Sequence, residues 1–227
     1  MPRRLRPTAP LASDAILVGD PGRALLLAQE LLVEPKMSNH ARGLWGYTGR
    51  TQDGDELTIQ ATGMGGPSAA LVLADLVELG VKQAVRVGTC VAFDEQVSLG
   101  DLLVPVGAIA AGGSSASFGL APDAIARPDR TLFGRLRQAL GSETHATMVA
   151  SLDTTPPPTD LPDEAVAADM QTVAIFARAR ELGIAAAALL VVSEAGEETL
   201  VDEDLDAAAK RAGRAAVEAL SKPQVES

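Results

Sequence analysis

Residues 63–90 read GMGGPSAALVLADLVELGVKQAVRVGTC, and the rest of the chain is organised around them. Gly63, Gly65 and Gly66 form a glycine-rich turn whose missing side chains let backbone N–H groups approach a ligand closely. Pro67 suits the first turn of a helix, where no N–H partner is needed, and the Ser68 hydroxyl can cover an orphan donor there. The helix is apolar at Leu71, Val72, Leu73, Leu76, Val77 and Leu79, with Asp75 and Glu78 on its expected wet side and Gly80 as its stop. A short strand, Ala84 to Val87, follows and ends in Gly88-Thr89-Cys90. Arg86 lies inside that apolar strand, which is unfavourable unless an anion or a carboxylate meets it.

The same grammar extends to either side. Ala15 to Val18 reads as a buried strand, followed by Gly19-Asp20-Pro21-Gly22-Arg23 and a helix over Ala24 to Leu32. A strand, a tight turn and a helix start make an anion cradle, because unpaired N–H groups gather at a helix N-terminus. These five residues equally fit a plain cap at Asp20 with a solvated Arg23. Leu44 to Gly49 and Glu56 to Thr62 form a hairpin around Asp53-Gly54, with Arg42 just before it. Leu102 to Ala110 is an apolar run whose Pro105 predicts a sheet edge or a bend, and Gly112 to Ser117 reads as a flexible loop. A helix is expected over Arg130 to Leu140 and a strand over Ala146 to Ser151. Thr154 to Pro162 holds four prolines and is expected to be a rigid loop. Asp169 looks like a cap for a helix from Met170 to Leu182, and Ile184 to Val192 is a second apolar strand, ending at Ser193-Glu194. Asp202 to Leu220 is an alanine-rich amphipathic helix, with a frayed tail expected after Pro223. Apolar strands alternating with helices predict an α/β fold with both sheet faces covered.

With 227 residues, 47% apolar and 22% charged, one domain over residues 1–227 is expected. The net charge of −11 and the pI near 4.6 argue against nucleic-acid or anionic-membrane partners, so an anionic ligand must be held by a few local arginines. Cys90 is the only cysteine, which excludes an internal disulfide and fits a reducing, cytoplasmic setting. Its apolar surroundings predict a buried, inert thiol. No signal peptide is expected from Arg3, Arg4 and Arg6 without an apolar run behind them, and no segment is long enough to span a bilayer. His40 and His145 are too few for a multi-histidine metal site or a Ser-His-Asp triad, so no metal is expected.

Four stretches, in order, carry a resemblance: Gly19 to Arg23, Arg42 to Gly49, Gly63 to Ser68 and Arg86 to Cys90. The likeness continues through Asp101, Asp169-Met170-Gln171 and Val192-Ser193-Glu194, over nearly the whole chain. Together they resemble the hexameric-type nucleoside phosphorylase family, which includes bacterial purine nucleoside phosphorylase and uridine phosphorylase. That resemblance implies a mixed, partly barrel-like central sheet flanked by helices. It implies phosphorolysis of a nucleoside to free base and pentose 1-phosphate, with inorganic phosphate as co-substrate and no cofactor. Phosphate would be held by Gly19, Arg23, Arg86 and Thr89, with Arg42 reaching in from a neighbouring subunit of a homo-oligomer built of dimer units, up to a hexamer. The nucleoside would lie against Cys90, Val91, Asp169, Met170 and Gln171, and Arg86 and Glu194 would take the catalytic roles.

The chain also departs from the family pattern. Gln171 stands where members carry a glutamate that accepts from both ribose hydroxyls, and hydrogen bonds to charged groups contribute about 1.5–3 kcal/mol. Ribose binding is expected to suffer, and Gln171→Glu to restore it. Glu194 replaces the aspartate of purine-specific members, Val91 replaces a glycine, and no aromatic residue between Phe133 and Phe176 can stack on a base. The N-terminal histidine that members donate to a neighbour's sugar is missing. Besides a divergent phosphorylase, the sequence admits a non-catalytic relative that keeps the anion site and the oligomer. A phosphate-independent nucleoside hydrolase is disfavoured by the retained arginines.

Overall fold

The computed structural model describes residues 4–95, 97–141, 144–155 and 161–221. Strand β1 (Asp14–Val18) alternates between two cores, Ala15 and Leu17 packing on one side of the sheet and Ile16 and Val18 on the other. A strand buried on both faces has no polar side to show, so it reads as an unbroken apolar run. The same holds for the buried stretches of β5 (Gln83–Ala92) and β10 (Ala185–Ala195). Helices α2 (Gly66–Glu78) and α4 (Thr172–Leu182) cover one core. Helices α1 (Pro21–Leu31), α3 (Arg130–Leu140) and α5 (Asp202–Leu220) cover the other.

Strand pairing closes part of the sheet on itself. β5 runs parallel to β10, and β10 antiparallel to β6 (Leu102–Ala110). β6 runs parallel to β8 (Thr144–Ser151), β8 parallel to β9 (Ala165–Asp169), and β9 antiparallel to β5. From this five-membered mixed barrel the sheet continues through β1 to β4 (Glu56–Ala61), β3 (Gly46–Arg50) and β2 (Val33–Asn39). The short strands β7 (Ile125–Ala126) and β11 (Glu198–Thr199) add to β6 and β10. This is the mixed, partly barrel-like sheet flanked by helices that the resemblance implied. Among the described residues no helix is long and apolar enough to cross a membrane.

Several local expectations need correction. Asp75 is not on the wet side of α2: it is 2% exposed and accepts from the backbone N–H groups of Arg4 and Leu5, while Leu71 is 44% exposed. The chain ahead of β1 covers the face that the helical wheel assigns to water. Ser68 does not cap α2 either; its hydroxyl donates to Thr62 O at 2.6 Å. Of the edge or bend expected at Pro105, the edge is not found: Pro105 lies in a barrel strand, beside an irregularity where the register shifts between Pro105 and Gly107. The small-residue loop is a 3-10 turn over Gly113–Phe118. Helix α4 begins at Thr172, two residues after the expected start. Of the proline-rich segment, residues 156–160 lie outside the described residues, as does the tail after Pro223.

Candidate functional site

A cavity of about 220 Å³ opens where β1, β5, β9 and β10 run out beside the glycine turn at Gly63 to Gly65. Every residue singled out from the sequence as a site residue lines it, Arg42 excepted.

Arg86, 4% exposed, is held from inside the protein. Its Nε and Nη2 donate to Asp169 Oδ2 at 3.2 and 3.0 Å, and its Nη1 donates to Gln171 Oε1 at 2.7 Å. To reach them the side chain folds back over Gly88, where an added Cβ would stand 2.4 Å from Arg86 Cζ. The requirement for an anion or a carboxylate is therefore met by Asp169. Asp169 is fixed in turn by Ser151 Oγ at 2.5 Å, Thr172 Oγ1 at 2.7 Å and the N–H groups of Gln171 and Thr172 at 3.1 and 3.0 Å. It thus serves the start of α4, as expected of a cap, and orients the arginine at the same time.

Gln171 is used up in the same network. Its Oε1 also accepts from Thr62 Oγ1 at 3.1 Å, and its Nε2 donates to Gly63 O at 2.5 Å and Gly65 O at 3.3 Å. Two acceptor sites and two donors are all that an amide has. Gln171 ties the glycine turn to Arg86.

Arg23 is the contrasting guanidinium. Asp20 caps α1 by accepting from Arg23 N at 2.7 Å, yet the Arg23 side chain lines the cavity and has no hydrogen-bond partner among the described residues. Burial holds its pKa below the usual arginine range; Asp20 and Asp206 oppose this, and Arg86 reinforces it. An anion between the two arginines would relieve both the burial and the repulsion. The half-buried Thr89 hydroxyl and the turn at Gly19 line the cavity beside Arg23, and of the plainer reading only the Asp20 cap holds, because Arg23 is half-buried in the cavity wall rather than solvated.

Glu194 reaches the cavity through a bulge. The register of β10 against β5 shifts between Val192 and Glu194, setting Glu194 opposite Val91, while Ser193 Oγ donates to Cys90 O at 3.2 Å. Bulges of this kind re-aim a side chain at the end of a strand. Val91, Met170, Leu152 and Ala168 supply apolar wall. Ser151, Thr62 and Thr172, which hold the arginine network, were missed in the sequence because a lone hydroxyl at a strand or helix end carries no signal of its partner.

Cys90 is 3% exposed, with Sγ 3.6 Å from Val191 O. Burial pushes its thiol pKa up, Asp169 adds to the rise, and Arg86 opposes it. The folded state therefore keeps this proton to higher pH than the unfolded chain does. Its contribution to stability is fully present below about pH 8.5 and falls by about 1.4 kcal/mol one unit above that. Denaturant melts across pH 8–10 should show this slope in the parent and a flatter one in Cys90→Ala; equal slopes would refute the assignment.

Arg42 stands apart, exposed on a 3-10 turn (Ala41–Gly43) that leads into β3. Among the described residues no group of three or more His, Cys, Asp or Glu side chains could hold a metal ion.

Comparison with known proteins follows the same lines. The family model described as Phosphorylase superfamily matches residues 13–222. A purine nucleoside phosphorylase DeoD-type from Alkaliphilus metalliredigens is 31% identical over 201 residues, covering 81% of this chain and 83% of its own. A protein of that name from Bacillus cereus is 30% identical over 210 residues, covering 85% and 87%. Another, from Oceanobacillus iheyensis, is 41% identical over 99 residues, a match that spans 43% of this chain and 42% of that relative. With the family match running from before β1 to beyond α5, over a closed mixed barrel, this chain belongs to the phosphorylase superfamily.

Proposed function

We propose that the protein is a nucleoside phosphorylase. The observation that carries this reading is the division between its two cavity arginines, one locked by Asp169 and Gln171, the other half-buried in the same cavity without a hydrogen-bonded acceptor among the described residues. Inorganic phosphate bridges them, held by Arg23, Thr89, the turn at Gly19 and the N–H groups that Arg86 has left. A phosphate oxygen bonds to C1′ of the nucleoside as the C1′–N bond breaks and its electron pair leaves with the base. Locked donors around the phosphate favour the cationic sugar that develops between the two, because they need no rearrangement as charge appears. Glu194 supplies the proton that the departing base requires, and Cys90, Val91 and Met170 face the base and sugar. The relatives named purine nucleoside phosphorylase favour a purine base. The working form is a cytoplasmic homo-oligomer of dimer units, in which Arg42 of one subunit serves the phosphate of its neighbour. That assignment is supported by its exposure and by its absence from its own cavity wall.

One observation favours a second reading, a non-catalytic relative that keeps the anion site: Asp169 and Gln171, the residues expected to face the sugar, are both committed to Arg86. Purine and pyrimidine nucleosides incubated with and without phosphate separate the readings. Base release that requires phosphate supports the phosphorylase, release without it makes the protein a hydrolase, and no release supports the second reading. Where release occurs, the 2′-deoxy and ribo forms should differ in kcat/KM by less than about fivefold, since Gln171 offers the ribose hydroxyls no charged acceptor worth about 1.5–3 kcal/mol.

A further inference from the structure

The turn that carries Arg42 adopts an unfavourable conformation and is nevertheless tied down. Arg42 has φ 61° and ψ 19°, and Gly43 follows with φ 70°, so two successive residues lie in the left-handed region. A residue with a Cβ stays there only where its surroundings over-determine it, and such positions gather at functional sites.

Here the surroundings are two buried amides. Asn39, 1% exposed, donates from Nδ2 to Leu44 O at 2.5 Å and Ala41 O at 3.5 Å, while its Oδ1 accepts from Arg6 N at 2.8 Å. Gln60, fully buried in β4, donates from Nε2 to Leu44 O and to Ala61 O, both at 2.9 Å, with Trp45 O at 3.4 Å. Gln60 fits only because residue 46 is glycine: a Cβ there would stand 2.3 Å from Gln60 Oε1. That oxygen is buried without a partner among the described residues, so the amide is kept in a buried strand at a desolvation cost. The turn also rests on the cavity wall, because Leu44 Cδ2 lies 3.4 Å from where a Cβ of Gly63 would be.

We propose that Asn39 and Gln60 are positioning residues that hold Arg42 in its left-handed conformation, presenting its guanidinium preset to an anion bound by a second copy of the chain. The proposal rests on the reading that Arg42 completes a neighbour's phosphate site. Its value lies in preorganisation: an arginine on a loose turn must be ordered each time it binds, and one on a clamped turn need not be.

Calorimetric titration of the native oligomer with phosphate tests this whether or not the protein turns over. Arg42→Ala should weaken phosphate binding. Gln60→Met should weaken it roughly tenfold, the scale on which small misplacements act. In the Arg42→Ala background Gln60→Met should add nothing, whereas general damage to the fold would add its full effect there. If Arg42→Ala leaves phosphate affinity unchanged, the role of Arg42 is wrong and the clamp falls with it. If Arg42→Ala weakens binding while Gln60→Met does not, or the two effects add, the clamp alone is overturned. Should Gln60→Met fail to fold, Asn39→Asp is scored by the same criteria, since it keeps an acceptor for Arg6 N and replaces the donors to the turn with a carboxylate oxygen that repels Leu44 O.

Discussion

Asp169→Ala is expected to lower the free energy of unfolding by about 3–5 kcal/mol, because it strands the buried Arg86 charge. The carboxylate has no exposed surface and collects donors from Arg86, Ser151, Gln171 and Thr172. Removing it leaves a guanidinium, two hydroxyls and the N–H groups at the start of α4 without their acceptor. Urea melts give the loss directly. The double variant Arg86→Met, Asp169→Leu should recover part of it, the share due to the stranded charge, while the hydroxyls of Ser151 and Thr172 and the N–H groups at the start of α4 stay unpaired. A single variant within about 1 kcal/mol of the parent would show that Arg86 finds water or another acceptor, and the locked arginine would be wrong.

Phosphate is expected to stabilise the protein by about 2.7 kcal/mol at a hundredfold excess over its dissociation constant, a rise in Tm of roughly 5–10 °C for a chain of this size. Arg23→Leu should abolish that rise. Position 23 is a cleaner probe than position 86, because the Arg23 side chain holds no hydrogen-bonded carboxylate that its loss would strand. The control is chloride at matched ionic strength. A parent protein that melts at the same temperature in both salts has no phosphate site, and a variant that keeps the full rise binds phosphate elsewhere.

How much of this was legible in the sequence depended on whether a residue's role is local. The turn at Gly19 to Arg23 was readable because glycine, proline and a capping aspartate fix the backbone within five residues, and the structure adds only that Arg23 faces inward. α3 and α5 matched their expected bounds because their apolar stripes and end signals lie within themselves. β9 was missed because the run Ala165-Val166-Ala167-Ala168 has little strand preference of its own and becomes a strand by filling the gap between β8 and β5. Gln171 shows the limit most clearly. As a letter it is a glutamate with its charge removed, and Gln171→Glu looks like a repair; in the fold its amide nitrogen holds Gly63 O and Gly65 O, which a carboxylate could not do. Composition cannot reveal which neighbour a side chain has already found.

The parallel pairing of β5 with β10 also governs how the chain is made. Arg86 and its strand leave the ribosome about a hundred residues before the strand that must lie beside them, roughly 5–20 s at ordinary elongation rates. Until then one edge of β5 has no neighbour and the barrel cannot close, so the N-terminal half waits with apolar backbone open to pairing with other chains. Synthesis of this protein is therefore expected to carry its greatest aggregation hazard between the completion of β5 and the arrival of β10, when one wall of the future cavity is an exposed sheet edge.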